Sequence, residues 1–575
     1  MRNYKDEYQL WLDSPALSEQ EWEELNAIAG DEKEIESRFF APLEFGTAGL
    51  RGTMKLGLHQ MNVHVIRHAT QAFANVIKAE GAEAMGKGIA ICFDCRNNSD
   101  VFAREAACVM AANGIHVRIF DSLRPTPELS FAVRYYGTTA GLNITASHNP
   151  KEYNGYKVYW SDGAQLPPQH AAAIAEQMSK IDIFRDFVSC DFDEAVADGR
   201  IELIGEETDE AYLQCVLGQA INKDIVAKVA DELKIVYTPF HGAGHKLVPE
   251  ALKRLGITQL YPVAEQMVLD GNFPTVDSPN PENPEGFYLA IDLAKKVGSD
   301  LIIGTDPDSD RIGVMVREGD EYTSITGNQL GVLLLDYVIT ARKAAGTLPE
   351  NAGAVKSIVT TEMAKTVAES NGVHFEDTFT GFKFMAERVA EWEKAGSYEY
   401  IFAYEESYGY MMGDYVRDKD AVTASMMVAE MAAYYFDKGM NLKQAMESLY
   451  EKYGRYAEKT LNLVMPGLDG LQKMKNLMAQ LRSNPLHEIA GTEVFRIRDY
   501  SGGSVIVPEL GVVGETDLKG SNVLYFELAD GTSFIVRPSG TEPKIKIYIL
   551  AKGANKAECD EKIEKYSEFA QSLKG

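Results

Sequence analysis

The chain has 575 residues, 45% hydrophobic and 25% charged, which is typical of a globular protein and too long for one hydrophobic core. Its 85 acidic and 57 basic side chains give a formal charge of −28, which argues against general affinity for nucleic acid or an anionic membrane. Any phosphate site must therefore be a local pocket of Arg, Lys and backbone N–H groups.

The beginning of the chain and its cysteines indicate a compartment. The first residues lack the basic and apolar regions of a signal peptide, and no apolar stretch is long enough to span a bilayer. Six cysteines are too few and too irregular for a disulfide framework, and the pair Cys92 and Cys95 sits in an apolar run typical of buried strand thiols. We expect a cytoplasmic protein.

A helix, a glycine and a short β-branched run recur three times, at Gly114, Gly256 and Gly372. Each pattern indicates a helix that ends at a left-handed glycine and leads into a strand of an α/β layer. Further predicted strands at 142–144, 301–303 and 400–403 lead into loops that carry Ser147, Asp306 and Glu405, respectively. Ligands collect beyond the carboxyl ends of strands in open α/β sheets, so we expect three similar domains whose loops face one cleft.

The last part of the chain changes character. Apolar runs at 523–528 and 533–536 flank an Asp530-Gly531 turn and predict a hairpin, which a strand at 545–550 and an amphipathic helix at 554–573 follow. This pattern indicates a fourth, α+β domain. We place the domains at 1–205, 206–320, 321–455 and 456–575.

The segment Thr-Ala-Ser-His-Asn-Pro at 145–150 offers Ser147 as a hydroxyl nucleophile. It does not match the Gly-x-Ser-x-Gly of a nucleophile elbow, which disfavours a serine hydrolase of that type. His148 is equally suited to bonding a phosphate, acting as a base or orienting the loop. A near match to a phosphate-binding P-loop at 81–87 fails because Gly88 stands where Ser or Thr is required.

Aspartates 306, 308 and 310 alternate along a predicted loop, so an extended backbone would present three carboxylates on one side. Their mutual repulsion requires a cation, and ligation by oxygen alone favours Mg²⁺ or Ca²⁺. A calcium-binding EF-hand is excluded because Arg311 and Arg317 occupy the positions of its glycine and glutamate.

These motifs occur with three others, at 45–52, 405–409 and 537–543, in one order along the chain. Together they resemble the α-D-phosphohexomutase superfamily, the phosphoglucomutases and phosphomannomutases, over essentially the whole chain. The resemblance implies three α/β/α layered domains with mixed sheets and a C-terminal α+β domain around a central cleft. It also implies a bound Mg²⁺ and glucose 1,6-bisphosphate as primer and intermediate.

The resemblance also implies roles for individual residues. Ser147 would carry the phosphoryl group, and one of its phosphate oxygens would join Asp306, Asp308 and Asp310 around the metal. The remaining catalytic candidates are basic residues near that centre: Arg51, Lys157, His148 and Arg311. The candidates for binding the sugar and its distal phosphate are Lys383, Glu405, Ser407, Arg537, Ser539, Gly540 and Thr541.

The implied activity is the interconversion of glucose 1-phosphate and glucose 6-phosphate through a phosphoserine and glucose 1,6-bisphosphate. The segment Glu405-Glu406-Ser407 favours glucose over mannose or glucosamine within the family, and Ser407 disfavours a phosphopentomutase. Phosphomannomutase and phosphopentomutase activities remain alternatives, as do a metal-dependent sugar phosphatase and a non-catalytic sugar-phosphate sensor. The expected partner is a small sugar phosphate, with no nucleic acid or membrane, and the sequence leaves the oligomeric state open.

Overall fold

The computed structural model describes residues 3–47, 49–465, 470–539 and 544–574. Its elements fall into two compact units. The first unit comprises Met1–Thr326 and Ser407–Asn441, and the second comprises Gly327–Glu406 and Leu442–Gly575.

The first domain is an α/β layer that follows three N-terminal helices. In chain order its elements are α1 (Tyr4–Leu12), α2 (Glu19–Asn26), α3 (Glu32–Phe39), β1 (Leu50–Thr53), α4 (Val63–Ala79), α5 (Ala82–Lys87), β2 (Ile89–Phe93), α6 (Ser99–Ala112), β3 (Val117–Phe120), α7 (Thr126–Tyr136), β4 (Ala140–Ile144), β5 (Tyr153–Trp160), α8 (Pro168–Met178), α9 (Phe192–Ala197) and β6 (Ile201–Ile204). The strands pair in the order β1-β5-β4-β2-β3-β6. Strands β4, β2, β3 and β6 are parallel, whereas β5 is antiparallel to both neighbours, so the sheet is mixed.

The second domain repeats this architecture. Its elements are α10 (Glu206–Leu217), α11 (Lys223–Val229), β7 (Lys234–Thr238), α12 (Gly244–Leu255), β8 (Gln259–Pro262), a 3₁₀ helix (Pro284–Phe287), α13 (Tyr288–Val297), β9 (Leu301–Thr305), β10 (Ile312–Glu318) and β11 (Glu321–Ile325). Strands pair in the order β11-β10-β9-β7-β8, with β8, β7 and β9 parallel and the others antiparallel. Gly256 ends α12 in the left-handed conformation (φ 116°), as the sequence predicts.

The third domain begins the second unit. Its elements are α14 (Gly327–Ala345), β12 (Ala352–Ser357), α15 (Met363–Ser370), β13 (His374–Thr378), α16 (Phe382–Ala395) and β14 (Glu399–Glu405). Strand β12 is parallel to both β13 and β14. The chain then returns to the first unit with β15 (Gly409–Met411) and α17 (Ala421–Asp437), and α17 packs against α11 and α12.

The C-terminal domain is an antiparallel sheet with helices. After α18 (Leu442–Tyr453), which packs on α14 within the third domain, its elements are β16 (Arg455–Val464), α19 (Gly470–Ser483), β17 (Glu488–Ile489), β18 (Thr492–Asp499), β19 (Ser504–Val507), β20 (Gly511–Glu515), β21 (Leu524–Leu528), β22 (Ser533–Pro538), β23 (Lys544–Gly553) and α20 (Lys556–Ser572). Strands pair in the order β16-β23-β22-β21-β18-β19-β20. The predicted hairpin is β21 with β22, and the predicted helix is α20.

Buried apolar side chains form a core in each domain. A further apolar cluster lies where the C-terminal sheet packs against the third domain. Aromatic and aliphatic side chains such as Phe379, Tyr500 and Tyr525 form that cluster within the second unit. The expected fold class, three α/β layered domains followed by an α+β domain, is confirmed. Within the described ranges, no helix combines the length and apolar character needed to cross a bilayer.

Candidate active site

Ser147 lies in the loop that follows the fully buried strand β4. Its backbone has a positive φ of 52°, a conformation that non-glycine residues rarely adopt outside special sites. The Ser147 N–H donates to Thr145 Oγ1 over 2.9 Å. Gly155 on β5 packs against this loop so closely that a Cβ there would lie 2.5 Å from the Thr145 carbonyl oxygen. The loop is therefore held tightly against its own sheet.

The aspartate triplet occupies the buried turn between β9 and β10. One oxygen from each of Asp306, Asp308 and Asp310 lies within 4.8 Å of the others. Asp306 Oδ1 accepts the backbone N–H groups of Asp310 and Arg311, each over 3.0 Å. The turn is more compact than the extended loop that the alternating pattern predicts, and Ser309 takes a positive φ of 53°.

The structure brings Ser147 and the triplet together. Ser147 Oγ donates to Asp306 Oδ2 over 2.7 Å, and Ser147 is only 3% exposed. The two loops follow β4 of the first domain and β9 of the second, and both belong to the first unit. The carboxyl ends of strands from two sheets thus converge on one serine hydroxyl. The meeting of loops from all three domains at one cleft stays a prediction.

The triplet has the electrostatics of a cation site. Burial, together with the neighbouring carboxylates of Asp308 and Asp310, raises the pKa of Asp306 well above its usual value. Asp308 Oδ1 and Asp310 Oδ1 are buried and have no hydrogen-bond partner among the described residues. Buried carboxylate oxygens without partners are costly, and a hard divalent cation satisfies them. The donor set therefore fits Mg²⁺.

Lys157 and Thr126 orient the triplet from the first domain. Lys157 Nζ and Thr126 Oγ1 each donate to Asp308 Oδ2 over 2.7 Å, which leaves Asp308 Oδ1 for another ligand. Lys157 Nζ also lies 3.5 Å from Asp310 Oδ2. Burial alone would lower the pKa of Lys157, but the Asp308 and Asp310 carboxylates outweigh it and raise the pKa. Lys157 is thus a cation in this arrangement.

The other predicted basic residues surround Ser147. His148 Nδ1 lies 3.2 Å from Ser147 Oγ. Burial and the positive charges of Arg311 and Arg51 lower the pKa of His148 well below its usual value, so its imidazole is neutral at pH 7. Arg51 Nη1 donates to Asn149 Oδ1 over 3.0 Å. Arg311 pairs with Glu282 over 2.8 Å and lies 3.9 Å from Asp310 Oδ1.

Three residues of this site were missed from the sequence. Lys419 is buried, with Nζ 3.3 Å from Asp310 Oδ2 and 3.0 Å from Asp418 Oδ1. Thr126 binds Asp308, and Arg96 donates to the Ser147 carbonyl over 2.5 Å. The run Arg-Asp-Lys-Asp at 417–420, ahead of an apolar helix, is a signal that could have drawn attention to Lys419.

The predicted sugar-binding residues lie mainly in the second unit. Glu405 Oε1 accepts the Gly381 N–H over 2.5 Å, which ties the end of β14 to the start of the helix that carries Lys383. Burial lowers the pKa of Lys383. Glu406 accepts the hydroxyls of Ser357 and Thr360, each over 3.2 Å. Ser407 belongs to the first unit.

The predicted phosphate loop begins at the end of β22 in the second unit. Arg537 lies on that strand, and its Nη1 is 3.5 Å from the hydroxyl of Tyr548. The Ser539 N–H donates to the Lys544 carbonyl over 2.9 Å. Gly540 and Thr541 lie outside the described residues, so their predicted roles stay predictions.

A buried serine beside an aspartate triplet, carried on successive α/β/α domains, defines the phosphosugar mutase class of the α-D-phosphohexomutase superfamily. Sequence models of that class match three stretches of this chain. They are described as phosphoglucomutase/phosphomannomutase α/β/α domain I at residues 42–184, domain II at 210–319 and domain III at 326–453. The chain belongs to the phosphoglucomutase/phosphomannomutase family.

Relatives over nearly the whole chain agree with this assignment. A phosphoglucomutase of Staphylococcus saprophyticus is 35% identical over 536 residues, which cover 93% of this chain and 95% of that protein. A phosphoglucomutase of Staphylococcus aureus is 36% identical over 534 residues, covering 91% and 92%.

Solved structures show the same fold at lower identity. The putative phosphomannomutase of Thermus thermophilus superposes with a TM-score of 0.67 at 20% identity, covering 92% of this chain and 99% of that one. The Paramecium phosphoglucomutase pp63/parafusin, in its open form, gives a TM-score of 0.68 at 18% identity, covering 92% and 95%.

Proposed function

We propose that this enzyme interconverts glucose 1-phosphate and glucose 6-phosphate, with Ser147 as the residue that stores the phosphoryl group. The observation that carries the proposal is the hydrogen bond from Ser147 Oγ to Asp306 Oδ2, 2.7 Å long, inside a buried aspartate triplet. The staphylococcal relatives named phosphoglucomutase support glucose as the sugar.

In the proposed cycle, a sugar hydroxyl attacks the phosphorus of phosphorylated Ser147. The new sugar O–P bond forms as the Ser147 O–P bond breaks, and the hydroxyl proton leaves to a base. The resulting glucose 1,6-bisphosphate turns around and returns its other phosphoryl group to Ser147. The neutral imidazole of His148 is the candidate to accept this proton, and the cationic Lys157 and Arg51 are the candidates to donate a proton to the departing Ser147 oxygen. Lys157 and Arg311 also offset charge on the transferring group.

Asp306, Asp308 and Asp310, with an oxygen of phosphorylated Ser147, would hold Mg²⁺. When bound, the metal neutralises charge that builds up on the transferring phosphoryl group. The buried oxygens Asp308 Oδ1 and Asp310 Oδ1, which lack partners within residues 3–47, 49–465, 470–539 and 544–574, support this assignment.

The enzyme must bind glucose 1,6-bisphosphate in two opposite orientations. This requires residues that contact the sugar hydroxyls and residues that bind the phosphate remote from Ser147. We assign the sugar contacts to Lys383, Glu405 and Ser407. We assign the remote phosphate to Arg537 and Ser539, together with the predicted residues Gly540 and Thr541. Charge-assisted hydrogen bonds from a guanidinium suit a phosphate dianion.

A coupled assay of the full chain tests the proposal. With Mg²⁺ and a trace of glucose 1,6-bisphosphate, glucose 1-phosphate should be converted faster than mannose 1-phosphate, glucosamine 1-phosphate or ribose 1-phosphate. Faster turnover of one of those sugars would reassign the substrate. Release of inorganic phosphate in excess of isomerisation would identify a phosphatase instead. No turnover at all, with Ser147 unphosphorylated, would favour a sensor.

A further inference from the structure

Arg96 lies directly behind the loop that carries Ser147. Its side chain is buried, and its guanidinium donates hydrogen bonds to several main-chain carbonyls of that loop. Nη2 donates to the carbonyls of Ser147 and Asn149, each over 2.5 Å. Nη1 donates to the carbonyls of Pro150, over 2.9 Å, and Tyr153, over 3.1 Å. One side chain therefore binds the loop from its nucleophile to the start of the next strand.

Asp94, the residue that follows β2, contacts both this guanidinium and the loop. Asp94 Oδ2 lies 3.3 Å from Arg96 Nε and accepts the Thr145 hydroxyl over 2.6 Å. Asp94 Oδ1 accepts the backbone N–H of Arg96 over 2.9 Å and the Ser99 hydroxyl over 2.8 Å. Thr145 in turn accepts the N–H of Ser147. Asp94 thus holds the Ser147 N–H through the Thr145 hydroxyl, while its ion-pair partner Arg96 holds the carbonyls of the same loop.

The second domain covers the outer side of Arg96. The ring of Phe273 lies 5.2 Å from the guanidinium carbon. Gly271 approaches so closely that a Cβ there would lie 2.8 Å from the Arg96 carbonyl carbon and 2.4 Å from the Asn97 nitrogen. The second domain therefore contacts both the backbone and the guanidinium of the buried Arg96, which suits a fixed support.

This support acts on a strained residue. The left-handed backbone of Ser147 is unfavourable for a side chain with a Cβ, and such strain persists only where the surroundings enforce it. Hydrogen bonds from a cation to carbonyls are among the stronger ones in proteins. Released from them, the loop would relax toward an ordinary conformation and Ser147 Oγ would move away from Asp306.

We propose that Arg96 is a positioning residue for phosphoryl transfer, which keeps Ser147 Oγ against the aspartate triplet by holding the carbonyls of residues 147–153. Its hydrogen bonds and its ion pair are to the loop backbone and to Asp94, so it acts through Ser147. The proposal rests on the proposed function, because it assumes that Ser147 carries the phosphoryl group.

The test compares the full-length enzyme with R96M, which keeps much of the side-chain volume, and R96K, which keeps the charge but loses the planar fork. Transfer of labelled phosphate from glucose 1,6-bisphosphate to Ser147 is measured per folded molecule, together with kcat and KM. We expect R96M to lose about 100-fold in transfer rate and kcat, with KM changed less than about 3-fold, and R96K to fall between.

Arg38 supplies the matched control. It is also a buried arginine that donates to a carbonyl, that of Leu56 over 3.3 Å, and it pairs with Glu24 and Glu34. The R38M variant should lose thermal stability but keep its transfer rate per folded molecule within about 2-fold. A drop in R38M as large as that in R96M would overturn the proposal, because it would reduce the role of Arg96 to general stability.

Parental transfer rates in R96M would also overturn the proposal. Should R96M not fold, R96K decides alone, and a parental rate with an ammonium in place of the guanidinium would contradict it. The parental enzyme separates this failure from a failure of the proposed function. If the parent transfers no phosphate to Ser147, the proposed function is wrong; if the parent transfers and the variants match it, only the inference about Arg96 is wrong.

Discussion

Ser147 and Asp306 are 159 positions apart in the sequence, yet the serine hydroxyl donates to the aspartate carboxylate over 2.7 Å. The contact joins the loop after β4 to the loop after β9, so two α/β layers supply one centre. The contact is buried among several charged side chains, so substitution of any one of them should change metal binding, turnover or stability.

The first prediction concerns the metal. In D310N, one of the three carboxylates no longer carries charge, and we expect Mg²⁺ affinity to fall by at least about 10-fold. Titration with Mg²⁺ by calorimetry, or with Mn²⁺ by electron paramagnetic resonance, measures the change without relying on activity. D320N is the control, because Asp320 is exposed at the turn after β10. Equal affinity in D310N and the parent would remove the triplet from the metal site.

The second prediction concerns Lys419. Its Nζ lies 3.3 Å from Asp310 Oδ2 and 3.0 Å from Asp418 Oδ1 in a buried environment. The K419M variant leaves those carboxylates short of a cation, so we expect kcat to fall at least about 10-fold and the melting temperature to drop by several degrees. K419R keeps the charge and should recover part of both. Parental kcat in K419M would show that this cation has no part in the reaction.

The third prediction is a dependence of stability on pH. Burial raises the pKa of Glu458 on β16 to about 7, although a hydrogen bond from Thr361 opposes the shift. Its ordinary value is about 4.3, so the folded state holds the proton more tightly than the unfolded chain does. The stability from protonated Glu458 is fully present below about pH 4.3 and is lost as the pH rises through about 7.

The variant E458Q removes this titration. At pH 8 it should melt a few degrees above the parent, which corresponds to about 4 kcal/mol for a pKa raised from about 4.3 to about 7. At pH 5 the difference should shrink to about a third of its value at pH 8. E488Q, which changes an exposed carboxylate on β17, should follow the parent at both pH values. A difference between E458Q and the parent that is the same at pH 5 and pH 8 would contradict the raised pKa.

Local patterns predict the layers of this fold well. The glycine corners at Gly114, Gly256 and Gly372 all have positive φ, and the predicted strands ending near Ser147, Asp306 and Glu405 are β4, β9 and β14. Those patterns are local, because a left-handed glycine and an apolar run are each visible within ten residues. The domain boundaries at 205, 320 and 455 stay predictions.

The site could be predicted only where chemistry shows in the sequence itself. Ser147 and the aspartates stand out because a hydroxyl in a turn and three alternating carboxylates are unusual. Thr126, Arg96 and Lys419 do not stand out, since their roles depend on hydrogen bonds to residues distant in sequence. The compact turn at Ser309 could not be predicted either, because alternating aspartates indicate an extended backbone and say nothing of a positive φ between them.

The role of Ser147 as phosphoryl carrier is tested by the turnover of S147A under saturating glucose 1-phosphate, Mg²⁺ and glucose 1,6-bisphosphate. The substitution removes the hydroxyl that bonds Asp306 and, in the proposed cycle, accepts the phosphoryl group. We expect S147A to lose at least about 10³-fold in kcat and to take up no label from labelled bisphosphate, with Mg²⁺ still bound. Isomerisation by S147A at the parental rate would contradict the central claim.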